Sequence, residues 1–201
     1  MFLLLDVASP IPEFYLIKDK KIIDSLKIVK DSDFKLSDKI IPAYLEFNKK
    51  HNLSKNINKL IITIGPGSYT ALRVGASFIA GLSQSMNIAV SVISSEIIYK
   101  YLTNFNTQIA VYFKSSNNQS FFSYKKDQLF FHEKVENEHY ILPNSINYIF
   151  YNFKFPNFNE QKINSSPFSL KEIVLNNLSN MVFEENLIIK PIYISNNIIL
   201  N

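Results

Sequence analysis

The chain has no cysteine and no tryptophan, and its 201 residues include only 4 glycines and a single arginine, Arg73. Without cysteine there is no disulfide framework, no zinc-thiolate site and no thiol nucleophile, so the stapled secreted folds drop out. Apolar runs are short. None approaches the ~18 residues that span a bilayer, and the opening Met1 to Leu5 is cut by Asp6 with no basic stretch before it, so neither a membrane helix nor a signal peptide is expected. A cytoplasmic compartment fits best. The net charge of +4 comes from lysines scattered along the chain, with no block longer than Lys18-Asp19-Lys20-Lys21. Nucleic-acid binding usually needs clustered basic residues, so this dispersion argues against direct contact.

What is present is a hydrophobic content of 47%, enough for one or two compact domains. Ile, Asn and Lys dominate, and departures from that bias carry information. Two coincide: Gly65, Gly67, Gly75 and Gly81 are all the glycines there are, and Arg73 lies among them. A lysine-rich chain that keeps one arginine points to a site needing a planar, multiply donating guanidinium.

Periodicity predicts strands over Phe2 to Leu5, Phe14 to Ile17 and Lys21 to Val29, the last two joined by a polar turn. Ser37 is the expected N-cap of a helix running to His51, with Ile40, Ile41, Tyr44, Leu45 and Phe47 on its apolar face and a kink at Pro42. A strand over Leu60 to Ile64, a turn over Gly65 to Ser68 and a helix over Tyr69 to Met86 follow. Next come a strand over Ile88 to Ile93 and a helix capped by Ser94 or Ser95 that runs to Leu102. Three antiparallel strands followed by parallel crossovers form the RNase H-like or actin-like half-domain pattern. Gln108 to Lys114, Phe121 to Lys126 and Leu129 to Val135 begin a second copy, with Asp127-Gln128 at a hairpin turn. Beyond His139 only a helix over Ser169 to Met181 and a closing segment over Ile188 to Ile194 are legible. The expectation is an α/β fold of two lobes, residues 1–104 and 105–201, with the second lobe reduced and its terminal segment packing back.

The turn Gly65-Pro66-Gly67-Ser68 before a helix could cradle an anion, but it matches neither a P-loop nor a dinucleotide fingerprint. The other reading is a tight turn with Ser68 as helix cap. On a helical wheel, Ala71, Leu72, Val74, Phe78, Ile79, Leu82 and Met86 form a core face. The opposite side carries Arg73, Ala76, Ser77, Ala80, Gly81, Ser83 and Gln84, with none of the Lys and Glu an exposed face should show. Small residues allow close helix approach. Either a second layer of the same chain or a partner subunit covers this face, and Tyr69, Arg73, Ala76, Ser77, Ala80, Ser83 and Gln84 are its candidate contacts.

A catalytic constellation is hard to assemble. His51, His132 and His139 lack metal-ligand spacing, and the stretch around His132 reads as a solvated loop or strand edge. Asp6 is the best single candidate, as a nucleotide-side carboxylate or as a turn-former.

Residues 65–75, GPGSYTALRVG, closely resemble the TsaB (YeaZ) signature, GPGSFTGLRIG. Phe2 to Asp6, the segment Leu36 to Pro42 and Pro191 to Ile194 match further family positions. The resemblance implies an actin-like (ASKHA) fold and a non-catalytic subunit that binds and activates TsaD, with the small ATPase TsaE, for threonylcarbamoylation of adenosine 37 in tRNA. It also implies a homodimer on the helix after the signature, with TsaD using an overlapping surface. No cofactor would be bound by this chain alone, ATP being used by the complex, and tRNA would be met through the complex. TsaD-type sequences carry a His pair separated by three residues, which this chain lacks. Departures are Val7-Ala8 after Asp6, Leu36 for the family's His, Ala71 for its third signature Gly, Ser195 for its late Arg, and Lys114 to Phe121 for its second-lobe motif. The alternative function is an autonomous actin-like ATPase or small-molecule kinase, which should have glycines at a second phosphate loop. None follows Gly81.

Overall fold

The computed structural model describes residues 1–29, 35–103, 108–116, 119–135, 142–153 and 163–194, with the backbone of 195 and 198–200. The first lobe opens with β1 (Phe2–Asp6), β2 (Glu13–Lys18) and β3 (Lys21–Lys27), then α1 (Leu36–His51), a short α2 (Leu53–Asn56), β4 (Lys59–Gly65), α3 (Tyr69–Met86), β5 (Val90–Ser94) and α4 (Ser95–Leu102). Its sheet has the order β3-β2-β1-β4-β5, with β1 antiparallel to β2 and parallel to β4. The turn between β2 and β3 puts Asp19 and Lys20 at φ of 50° and 58°, the left-handed pair that a two-residue hairpin needs.

The second lobe repeats the plan with β6 (Ile109–Lys114), β7 (Ser120–Lys126), β8 (Leu129–Val135), β9 (Tyr148–Tyr151) and β10 (Asn164–Pro167), followed by α5 (Leu170–Asn177). The sheet order is β10-β9-β6-β7-β8, the same succession of meander and parallel crossovers as in the first lobe. The hairpin expected at Asp127-Gln128 is there, again with two positive φ values. The reduction lies in the connections rather than the strands: residues 136–147 separate β8 from β9, where 28–58 separate β3 from β4. A last hairpin pairs β11 (Tyr193–Ser195) with β12 (Ile198–Leu200). The expected boundary near residue 104 lies outside the described residues.

Strand alternation divides the core. Leu3, Leu5, Phe14, Leu16, Leu60 and Ile62 pack under α1 and α3, whereas Leu4, Ile17, Ile61 and Ile93 face Val111, Phe113, Phe121, Ile173 and Val174 of the second lobe. One apolar layer therefore joins both sheets, with α4 and α5 in it. Each fully buried Leu or Ile contributes about 1.5–3 kcal/mol, and Leu3, Leu4, Leu5, Leu60, Ile61 and Ile62 all have no exposed surface.

Several local expectations are corrected. The N-cap of α1 is Lys35, without a side-chain cap; Ser37 lies inside the helix and its hydroxyl donates to Asp38. The helix runs on through Pro42 to His51. Ile41 and Leu45 are each 57% exposed, since the buried stripe is Leu36, Ile40, Ala43, Tyr44 and Phe47. The strands β9 and β10 were not legible in the sequence. His132 does stand on an edge strand, β8, but its ring is not solvated: its Nδ1 lies 2.8 Å from Ser123 Oγ and 3.3 Å from Ser95 Oγ, and burial lowers its pKa to about 4. Glu136, Glu138 and His139 lie outside the described residues.

Candidate functional site

The glycine segment joins β4 to α3, and its chemistry is that of close packing. Gly65 ends β4 at φ of +108°, a conformation L side chains rarely adopt, and a Cβ there would lie 3.1 Å from the Ile192 carbonyl oxygen and 2.9 Å from Leu72 Cδ1. A Cβ on Gly67 would stand 3.2 Å from Ala8 Cα, and one on Gly75 would stand 2.9 Å from both methyl carbons of Val7. Only Gly81 looks into open space. Ser68 caps α3, its Oγ accepting from the Ala71 N–H at 3.5 Å, and is itself buried. Pro66 is buried too. The turn is thus pressed against residues 7–8 on one side and 192 on the other, where the Ile192 N–H donates to the Ile64 carbonyl at 2.8 Å.

Asp6, at the end of β1, is 3% exposed. Its Oδ1 accepts from the Thr63 hydroxyl at 3.0 Å and from the backbone N–H groups of Ala8 at 3.1 Å and Ser9 at 3.2 Å. Thr63 Oγ1 in turn accepts from the N–H of Val7 at 2.9 Å. Burial pushes the Asp6 carboxyl above the ordinary carboxylate range, against the opposing pull of the hydrogen bonds from Ser9, Thr63 and Ala8. Its geometry is that of a turn-former that fixes the loop on which Gly67 and Gly75 pack.

The small-residue face of α3 lies against the chain's own segment 186–193. Between them runs a groove of about 390 Å³, lined on one side by Arg73, Ala76, Ser77, Ala80, Ser83 and Gln84 and on the other by Asn186 to Ile189, Pro191 and Tyr193. Ala76 and Ser83 are buried at 8% and 7% exposure, so part of this face has the cover from the same chain that was one of the two expectations for it. Ser83 Oγ donates to the Ile88 carbonyl at 2.7 Å. Tyr69, Arg73, Ser77 and Gln84 are exposed, and Ala80 is half-buried. The wheel asked for a cover but could not say which segment supplies it, since this wall comes from residues a hundred positions away.

Arg73 makes no ion pair among the described residues; its Nη1 donates to the Tyr69 hydroxyl at 3.3 Å and its Cζ lies 5.2 Å from that ring. Tyr69 packs in turn on Tyr193 with ring centroids 4.5 Å apart. Partial burial raises the Tyr193 hydroxyl, with Tyr69 adding to the rise and Arg73 opposing it. A planar guanidinium on a tyrosine pair is a reason for arginine in a lysine-rich chain. Sequence reasoning placed Ile41 and Leu45 on the apolar face of the neighbouring α1 and so missed their exposure, which extends the apolar part of this layer. Their helical spacing was visible, but it made an apolar stripe too wide for one core face.

Among the described residues no group of three or more His, Asp or Glu is placed to hold a metal ion, and no helix is long and apolar enough to cross a membrane. The sequence model of the TsaD family, tRNA N6-adenosine threonylcarbamoyltransferase, matches residues 32–157. No curated protein matches the sequence. Two solved structures share the fold over nearly their whole length. One is an uncharacterised protein with similarity to peptidase YeaZ from Pseudomonas aeruginosa, at 14% identity, TM-score 0.62, and coverage of 96% of this chain and 98% of that one. The other is YeaZ from Pseudomonas aeruginosa, at 13% identity, TM-score 0.60, and coverage of 96% and 99%.

Proposed function

The chain belongs to the TsaD family, tRNA N6-adenosine threonylcarbamoyltransferase, and from that premise we propose that it is the TsaB (YeaZ) type of member, a non-catalytic cytoplasmic subunit that binds and activates a TsaD-type partner. The observation that carries this reading is the outer helix layer. It presents exposed Ile41 and Leu45 on α1, and Tyr69, Arg73, Ser77 and Gln84 beside the groove on α3. Exposed apolar side chains on α1, next to an α3 face whose one charge is Arg73, suit a helix-on-helix interface. Two further features agree with it. The signature glycines serve contacts within the chain, and Asp6 accepts its hydrogen bonds from Ala8 and Ser9 of its own loop and from Thr63 of β4.

On this reading the same face serves a homodimer when the partner is absent, and ATP, the TsaE-type ATPase and tRNA are met in the complex. Mixing the chain with a TsaD-type protein from the same source tests it. Stoichiometric association at micromolar concentration is expected, and it should disappear in Ser77→Lys and Ala80→Glu variants that keep the parent's circular dichroism. Absence of binding by the parent chain overturns the reading. ATP turnover by the chain alone, abolished by Asp6→Asn, would install the autonomous kinase in its place.

A further inference from the structure

Lysines scattered through the sequence converge at one end of the first sheet. Across the register, Phe2 of β1 stands between Ile17 of β2 and Lys59 of β4, and Lys18 stands opposite Lys21 of β3. Lys20 lies in the turn between β2 and β3. The Met1 ammonium donates to the Asn56 carbonyl at 3.3 Å and to Asn58 Oδ1 at 3.2 Å, which brings the end of α2, with Lys55, to the same place. A depression of about 440 Å³ opens there, lined among others by Met1, Lys18, Asp19, Asn58, Lys59 and Phe183. Lys59 Nζ lies 5.1 Å from the Phe183 ring, itself half-buried against Phe2 with centroids 5.8 Å apart.

The balance of charge is one-sided. Lys18, Lys20, Lys21 and Lys55 are exposed and Lys59 half-buried, and none of the five forms an ion pair among the described residues. Asp19 is the one acidic residue of the depression, and Glu184 lies beyond it, bridged by its backbone to Val90 at the β5 edge. Uncompensated lysines are costly to gather, since they repel one another, and a polyanion relieves that repulsion while releasing its counterions. The groups sit at the end of the strands, whereas the outer layer of α1 and α3 covers a face of the sheet, so one surface can be engaged while the other is in use.

We propose that this end of the sheet is a direct docking site for the phosphate backbone of an RNA. The proposal rests on the family reading only for the choice of RNA as the polyanion; the charge geometry stands without it. Lysines carry it rather than arginines, so the contact is to phosphates as point charges and not to base edges. Affinity is therefore insensitive to sequence and steep in salt.

The test uses the full chain with an unmodified tRNA transcript, its dissociation constant followed by anisotropy from ~50 to ~200 mM salt. Replacing Lys18, Lys20 and Lys21 by Gln should weaken binding at least tenfold at the lowest salt and flatten the log–log salt slope by about 2, at ~0.7–0.9 for each phosphate no longer neutralised. The charge-matched control, with Lys125, Lys126 and Lys134 of the second lobe replaced by Gln, should behave as the parent. Equal weakening in both triple variants, or none in either, overturns the proposal, as does parent binding to anionic phospholipid vesicles without binding to tRNA. Association with the TsaD-type partner is measured on the same preparations. Retained association beside unchanged RNA binding fails the docking site alone, and the converse result fails the subunit reading alone.

Discussion

Gly75→Ala and Gly81→Ala are the same chemical change less than two turns apart on α3, and the structure gives them opposite signs. In an open helical position, the substitution gains about 0.5–1 kcal/mol because glycine loses more backbone freedom on folding. Gly81 has nothing within 4 Å of its would-be Cβ and should show that gain in full. At Gly75 the new methyl would stand 2.9 Å from both Val7 methyl carbons, well inside the ~3.5–4.0 Å of a relaxed carbon contact. Val7 cannot turn aside easily. It is β-branched, fully buried, and its N–H is held by Thr63 Oγ1 at 2.9 Å.

Overpacking of this kind costs about 1–3 kcal/mol, and set against the helix gain it leaves Gly75→Ala destabilising by about 1 kcal/mol, with an upper bound of about 2.5 kcal/mol. For a chain of this length 1 kcal/mol moves Tm by ~2–4 °C, so calorimetry should place the two variants on either side of the parent. Val7→Ala removes the obstructing methyls, and a double-mutant cycle between positions 7 and 75 should return a favourable coupling of about 1 kcal/mol or more. If Gly75→Ala raises Tm as much as Gly81→Ala does, or the cycle shows no coupling, the account of the signature as a packing device is wrong.

Gly65→Ala should cost more, about 2 kcal/mol or above, because the φ of +108° and the Ile192 carbonyl oppose it together, and urea unfolding reads it directly. Arg73→Lys should leave Tm within a degree or so yet weaken partner binding at least tenfold, a loss of ~1.5–3 kcal/mol on titration calorimetry; unchanged affinity removes the tyrosine-seated guanidinium from the interface. His132 is held neutral by burial, with a folded pKa near 4 below the ordinary 6.5. The unfolded chain therefore takes up the proton first, and stability present above pH ~6.5 should fall by about 3 kcal/mol as pH drops to ~4, a slope that His132→Gln abolishes. Asp24, lowered to about 2 chiefly by hydrogen bonds from Lys50 at 2.7 Å and His51 at 2.6 Å, acts in the next window. Its contribution holds above its unfolded value near ~4 and disappears as pH falls through ~2, and since the group is at the surface it should amount to less than ~1 kcal/mol.

Where local periodicity and turn chemistry act alone, the fold was readable. The first three strands, α3 with its Ser68 cap, the Ser94 cap of α4 and the Asp127-Gln128 hairpin all stand where those rules put them. Glycine scarcity hid other signals, because asparagine takes the left-handed positions that end helices here: Asn52 after α1 and Asn87 after α3 have φ of 52° and 53°. In an asparagine-rich chain neither stands out. The strands β9 and β10 span four residues each and alternate aromatic or polar residues without a period. At the candidate site, the wheel separated the α3 faces but could not show that Ala76 and Ser83 lie under segment 186–193, nor that Ile41 and Leu45 are left over once Tyr44 meets Phe78 at 5.4 Å. Those facts belong to pairs of residues far apart in the chain, which no single window contains.

The return of residues 184–193 to the first lobe imposes an order of events during synthesis. The β5 edge is bridged by Glu184, the Ile64 carbonyl is satisfied by Ile192, and Tyr69 packs on Tyr193, so a lobe whose strands and helices end by Leu102 waits for residues 184–193 to close. At ~5–20 residues per second, the interval between emergence of α3 and arrival of its opposite wall is several seconds or more. Until then the groove beside Arg73 has only one side. A nascent chain therefore lacks the second wall of the groove, and anything that needs both walls waits until residues 186–193 have emerged and folded back.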